Sequence, residues 1–451
     1  MEDLDRQAIL DDIAFLIEAK EASKLRAIML GAHPADIADL LMHMDSEQRR
    51  YLFEALDART AADVIVEVDE PTREELIRPL NAHQLSQLVS EMDSDDAADF
   101  LGELPEALAA KILKHITPEE SAEVRQLLAH EEDSAGGIMA LELVAVPQDH
   151  TVEEAIQEIR KKAEEVENIN HIYVIDNDGK LVGLLPLKKL ILANPYIRLS
   201  EIMNRDVISV RVDTDQEEVA NVVRKYDLLA VPVVDARGRL VGRITHDDIV
   251  DVMQEEAEED LSRLAGVSEE EEPRETSIFR ISRIRLPWLI IGLFGEIIAA
   301  TVLSNYVSAL EQVIALVFFI PVITAMGGNA GIQASAIVVR GLATGEIAIN
   351  DTLRRLGKEF RVAMLNGLLC GAVIFLVISI GWNNPRIGLL IATSLMIVIM
   401  SASIVGGTVP LALKRFNVDP AIAIGPFITI SNDILGLLIY MWIAVLFMNY
   451  L

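Results

Sequence analysis

The chain has 451 residues and a formal net charge of -31, too long for a single core and too acidic to attract nucleic acid or an anionic membrane surface. From Leu286 onward eight Lys and Arg stand against seven Asp and Glu, so the acid excess lies entirely before Leu286, and the remainder is apolar. The single cysteine, Cys370, excludes an intrachain disulfide and a cysteine-based metal site, and MEDLDRQAIL at the N-terminus does not read as a signal peptide.

Residues 1–130 read as an α-helical domain of short amphipathic helices, for example Pro34 to Leu41 with Asp36 and Asp39, Ala61 to Ile65 with Asp63, and Asp95 to Leu101 with Asp96 and Asp99. Such helices cannot bury an apolar face alone, so they stack either into a superhelical array or into an irregular helical domain. In both cases the acids are expected on the side away from the apolar stripe.

Residues 131–260 contain a duplicated unit. Thr151 and Asp215 each open a helix, and Ile172 to Gly183 is echoed by Val231 to Gly242: an apolar run, a turn with Asp176 and Gly179 or Asp235 and Gly238, and a second apolar run. Helix, β-hairpin and helix twice over resembles a tandem α/β pair of CBS modules. That family implies paired modules that sense a ligand, commonly an adenine nucleotide held by a Ser or Thr and an Asp after the second strand. The second copy keeps Thr245 and Asp248, and the first copy, through Lys189, has neither.

An acidic connecting helix and linker follow over 247–284, with Asp247, Asp248, Asp251, Glu255, Glu256, Glu258, Glu259 and Asp260. Like charges four apart weaken a helix by a few tenths of a kcal/mol per pair. Bound cations would relieve that repulsion, although Ser268 to Pro273 reads simply as a solvated linker.

Residues 285–451 carry five apolar segments, at about 286–305, 313–339, 362–381, 387–413 and 421–449, each long enough to span a bilayer as a helix. Arg340, Arg354, Arg355, Lys358, Arg361, Lys414 and Arg415 mark cytoplasmic loops, which places the N-terminal domains in the cytoplasm and the C-terminus outside. In the second segment Gly327 and Gly331 form a close-packing pair, with Gly328 between them. Asn329 and Gln333 are expected to face a polar interior. Gly406, Gly407 and Pro410 in the fourth segment are expected to free backbone carbonyls. The fifth segment has one charge, Asp433, sharing a helix face with Gly425 and Thr429 and adjoining Asn432. An intramembrane acid is costly, so Asp433 either lies on an ion path or is hydrogen-bonded as structural glue; Glu296 in the first segment is a second acid without an evident partner.

Gly327 to Ser335 together with Gly425 to Tyr440 resembles the MgtE family of magnesium transporters and channels, and Glu131 to Gly137 entering the CBS pair fits the same order. The resemblance covers nearly the whole chain and implies a multidomain fold: helical N-terminal domain, CBS pair and five-helix membrane domain. It implies a homodimer in the plasma membrane with its pore at the subunit interface and Asp433 as the ion-binding acid. It also implies that Mg2+ between the cytoplasmic domains closes the pore. Asn432, Thr429, Gly328 and Asn329 join Asp433 as pore candidates. The regulatory candidates are Asp95 and Asp99, then Asp215, Glu217 and Asp227 on the second CBS copy, then Asp248, Asp251, Glu256 and Glu259. Oxygen ligands suit a small hard cation that keeps several waters. The eight histidines show no metal-ligand spacing, and neither a phosphate-cradling loop nor a nucleophile elbow is present, so an enzyme is not expected. A proton-coupled divalent cation carrier and a membrane-anchored nucleotide sensor are the alternatives.

Overall fold

The computed structural model describes residues 13, 15–17, 19, 21–163, 166, 168–265, 278–343, 347, 352–416, 418, 420 and 425–448. The chain forms two compact units, Met1–Met253 and Gln254–Leu451.

The first unit begins with α1 (Ala22–Met29), α2 (Pro34–Met42), α3 (Ser46–Ala55), α4 (Ala58–Glu67), α5 (Glu70–Ile77), α6 (Ala82–Val89), α7 (Ser94–Gly102), α8 (Glu106–Ile112) and α9 (Pro118–Leu127). From α2 on, the N-caps fall at His33, Asp45, Asp57, Asp69, Asn81, Asp93, Pro105 and Thr117, at one constant interval throughout. Asp45, Asn81 and Thr117 complete capping boxes with Gln48, Gln84 and Glu120, which satisfies first-turn amides that would otherwise lack partners. Helices pack on their next-but-one neighbours, α2 on α4, α4 on α6 and α6 on α8, as expected of a superhelical stack. Arg49 on α3 and Arg73 on α5 play the same part in successive layers. Nε of Arg49 donates to Leu41 O at 2.9 Å and Nε of Arg73 to Ile65 O at 3.1 Å, each closing off the end of the preceding helix.

The CBS pair is two copies of one three-stranded sheet. In the first, β1 (Ala145–Pro147) runs parallel to β2 (His171–Ile175), which pairs antiparallel with β3 (Leu181–Pro186). In the second, β4 (Val210–Arg211), β5 (Ala230–Val234) and β6 (Leu240–Thr245) do the same, with the register shift at the equivalent place. Helix α10 (Val152–Lys162) follows the Thr151 cap, α11 (Leu187–Leu192) and α12 (Leu199–Ile202) follow β3, and α13 (Gln216–Tyr226) follows the Asp215 cap. Gly179 and Gly238 take φ of 79° and 77°, and the two hairpin tips bind each other reciprocally: Leu181 N donates to Gly238 O and Leu240 N to Gly179 O, both at 3.1 Å. The second copy shares one hydrophobic core with the helical domain through Met139, Val219 and Val231, whereas the first copy has its own around Val174 and Leu185.

Helix α14 (His246–Ala265) forms despite its like charges. The junction between it and the first span lies outside the described residues.

The second unit holds α15 (Ile278–Ser304), α16 (Val307–Gln312), a 3-10 helix (Ile314–Phe319), α17 (Ile320–Ala343), α18 (Thr352–Gly381), α19 (Pro385–Arg415) and α20 (Pro426–Phe447). Five stretches among the described residues are long and apolar enough to cross a bilayer, and they match the five apolar segments of the sequence. The second span starts with a 3-10 turn, and Tyr440 Oη, fully buried, donates to Leu316 O there at 2.9 Å. Helix α19 packs against α17, α18 and α20, while α15 packs on α20. Pro410 does not break its helix: α19 runs through it, and because proline has no N–H the Gly406 carbonyl lacks its intrahelical donor.

Candidate functional site

Two places carry the chemistry, one in each unit. In the membrane unit, α20 starts at Gly425, whose φ of 76° suits glycine, with proline at the first helical position. Thr429 Oγ1 donates back to Gly425 O at 3.1 Å. One turn on, Asn432 is 2% exposed and Asp433 is half-buried. Asn432 lies in a notch of α17, because a Cβ on Gly331 would overlap its Nδ2. Gly331 is also hemmed in from α19: a Cβ on Gly406 would overlap the Gly331 carbonyl. The glycines of the second and fourth spans thus serve close approach. Gly328 faces Thr429, with room for a methyl group: its Cβ would lie 3.9 Å from Thr429 Cγ2.

Two sequence expectations change here. Asn329 and Gln333 are exposed on the single chain and do not enter a polar interior of its helix bundle, since the buried face of α17 is taken by Gly327, Gly331, Ala334 and Ser335. Glu296 gains a partner that no sequence signal gave: its carboxyl is hydrogen-bonded to that of Asp433. The pairing is tertiary, between the first and last spans.

In the first unit, acids from three elements meet. Ser94 N and Oγ donate to Glu142 at 3.1 and 2.8 Å, and Leu141 N donates to Ser94 Oγ at 2.9 Å, which ties the start of α7 to the entry of the CBS pair. Asp95 is therefore buried, not solvated as its helix pattern suggested. Burial, then Asp248, Asp96 and Glu142, push its carboxyl well above the usual range. Burial and the charges of Asp248, Asp93, Asp99 and Asp63 push Asp96 up to about 7. Asp248 accepts from Thr245 N at 2.9 Å and Thr245 Oγ1 at 2.6 Å, yet desolvation outweighs those bonds and raises it too. Asp251 is raised by desolvation and by Asp247, and Glu67 by desolvation and by Asp251.

The remaining candidate acids lie elsewhere. Asp99 is exposed on α7, although its charge reaches Asp96. Asp215 and Asp227 are exposed at opposite ends of α13, Asp215 accepting from Glu217 N at 3.0 Å and Asp227 left-handed with φ of 53°. Glu256 and Glu259 are half-buried on α14. Among the described residues no three His, Cys, Asp or Glu side chains converge as a metal site.

A family model described as the divalent cation transporter MgtE matches residues 320–443, the MgtE intracellular N domain matches 32–133, and the CBS domain matches twice, over 135–195 and 199–255. The magnesium transporter MgtE of Bacillus subtilis is 39% identical over 355 residues, 79% of this chain and 78% of that one. The chain belongs to the MgtE family of divalent cation transporters. The magnesium transporter MgtE of Thermus thermophilus is likewise 39% identical over 355 residues, 78% of each chain. A solved MgtE structure, the cytosolic domain of the Mg2+ channel MgtE in complex with ATP, is 37% identical with a TM-score of 0.51, covering 54% of this chain and 99% of that one. The soluble part of a magnesium transporter matches at 31% identity and TM-score 0.52, covering 56% and 99%. This MgtE protein is thus a membrane transporter with a helical N domain, a CBS pair and five apolar spans.

Proposed function

We propose that this MgtE protein carries magnesium across the plasma membrane as a homodimer, its pathway passing Asp433 at the interface between copies, and that it performs transport and no catalysis. The observation that carries the reading is the placement of Asp433. It is the only charge on α20, half-buried, next to Asn432, which fills the notch at Gly331 of α17, and one turn from Thr429, which faces Gly328. Carboxylate, amide, hydroxyl and carbonyl oxygens are the donor set for a small hard cation that keeps part of its water shell. The basic loops orient the N-terminal domains to the cytoplasm and the C-terminus outside.

The cytoplasmic acids support control by the transported ion. Asp95, Asp96 and Asp248 would hold Mg2+ between the helical domain and the second CBS copy, its charge offsetting their repulsion and favouring the compact state. Such binding shifts the equilibrium only through its different affinity for compact and open forms. Thr245 and Asp248 also fit an adenine nucleotide after β6, in keeping with the ATP complex of the related cytosolic domain.

Mg2+ uptake into liposomes by the full-length protein tests the reading. Asp433→Asn keeps shape and removes charge, so uptake is expected to fall with the protein still folded; parental uptake and selectivity in that variant would remove Asp433 from the pathway.

A further inference from the structure

Glu296 lies on α15 on a surface that is otherwise apolar, between Leu293 and Phe294 on one side, 60% and 63% exposed, and Ile297 and Ile298 on the other. An acid at membrane depth is costly and is retained where it has a partner or a function. Its partner is Asp433, carboxyl to carboxyl. Packing fixes the register of that encounter, because Gly295, the residue before it, sits so close to Ile430 that a Cβ would overlap the Ile430 side chain. The docking of α15 on α20 therefore brings Glu296 to the level of Asp433. Beside it, Asn432 is almost fully buried, and neither its Oδ1 nor its Nδ2 has a hydrogen-bond partner among the described residues. Polar groups thus gather at this depth beyond what helix packing needs, and buried polar atoms without partners call for a functional explanation.

We propose that Glu296 is a specificity-determining residue of the cation pathway: it orients the Asp433 carboxyl and adds a second acid beside it, so that a hydrated divalent ion is favoured over a monovalent one. This rests on the reading that Asp433 lines the pathway. The carboxyl–carboxyl hydrogen bond holds one proton between the pair; once an arriving cation displaces that proton to water, the second carboxylate attracts a divalent ion twice as strongly as a monovalent ion at the same distance. Selectivity is that difference. Two carboxyl groups held side by side also offer acceptors to the water shell of one ion, which a lone Asp433 on a rotating side chain would do less well.

The test uses full-length protein in liposomes, reading Mg2+ uptake and K+ conductance for the parent, Glu296→Gln and Glu296→Asp. Glu296→Gln keeps the size and hydrogen-bonding capacity and removes the acid. It is expected to raise the half-saturating Mg2+ concentration and lower the Mg2+/K+ ratio, each by about tenfold, with a smaller change in maximal rate. Glu296→Asp keeps the acid but draws it back, so the Mg2+/K+ ratio is expected to hold while half-saturation rises to a value between the other two. Parental half-saturation and selectivity in Glu296→Gln would overturn the proposal. Should that variant fail to accumulate, parental half-saturation in Glu296→Asp would overturn it. A parent protein that takes up no Mg2+ would sink the transport reading and this proposal together, whereas parental uptake with an unaltered Gln variant sinks this proposal alone.

Discussion

Gly331 on α17 and Asn432 on α20 fit as notch and knob: the missing side chain of the glycine is the space that the amide fills. A methyl group at Gly331 would meet Asn432 Nδ2, and Ile428 Cγ2, one turn earlier on α20, stands 3.0 Å away, so little relaxation is open to it. One turn earlier, Gly328 has room for a methyl. Overpacking of a tight core costs about 1–3 kcal/mol. Gly331→Ala is therefore expected to lower the thermal midpoint of the detergent-purified protein and its transport, and Gly328→Ala to leave stability near the parent's. Equal effects of the two would show that the notch is not what glycine provides.

Asn432 itself is held at a cost. A buried donor or acceptor without a partner forfeits about 1–3 kcal/mol of desolvation, while an apolar group of the same shape does not. Asn432→Leu is expected to stabilise the protein against heat and to reduce Mg2+ uptake, a split that a merely structural amide would not produce. Chemical denaturation alongside a flux assay reads both quantities. A variant that is less stable and transports normally would contradict the expectation.

The order of domains, both CBS hairpins and all five spans were legible because each rests on local patterning: alternation, Asp-Gly turns, and apolar runs of spanning length. The N-terminal superhelix was legible in a sharper form than the amphipathic pattern gave. Asp45, Asp57, Asp69, Asn81 and Asp93 are evenly spaced along the chain, and every one is an N-cap. Cap spacing, not the apolar stripe, was the signal that reveals a repeating pair of helices. The burial of Asp95 and the Glu296 to Asp433 contact were not legible. Both arise from docking between elements far apart in the chain, about which helical periodicity carries no information.

The raised acids give a pH dependence whose sign is fixed. Asp96 goes from 3.8 in an unfolded chain to about 7 in place, and Asp95 and Asp248 move the same way, so the folded protein binds more protons across that window. Stability then falls as pH rises from about 4 to about 7 and stays low above it. Asp57 works oppositely: the Thr60 amide holds it below 3.8, and its contribution is lost only as pH falls further. Without divalent ions, the thermal midpoint is expected to be lower at pH 8 than at pH 5. Asp96→Asn should flatten that slope and raise stability at the higher pH by on the order of 1–3 kcal/mol. A slope unchanged by the substitution would mean that Asp96 is not the group responsible.

The same acids make control by internal magnesium testable. Asp95 from the helical domain and Asp248 from the second CBS copy are within electrostatic reach of one another, and both are shielded from water. Like charges in that setting favour separation of the two surfaces, and a divalent ion between them reverses the preference. Replacing one acid with its amide removes part of the repulsion and also part of the ion's binding energy, so the pathway should still conduct but respond less to Mg2+. Asp248→Asn retains an oxygen to accept from Thr245, which guards the start of α14 against unfolding. In the double variant Asp95→Asn, Asp248→Asn, the internal Mg2+ concentration giving half-closure is expected to rise by about tenfold, within the usual range of about 1–3 kcal/mol for coupling between sites. Neutralising two exposed acids, Glu47→Gln and Glu119→Gln, controls for net charge and should shift it little. Patch recording with Mg2+ varied on the cytoplasmic face separates the cases, and closure of the double variant at the parental concentration would show that the seam between α7 and α14 is not the sensor.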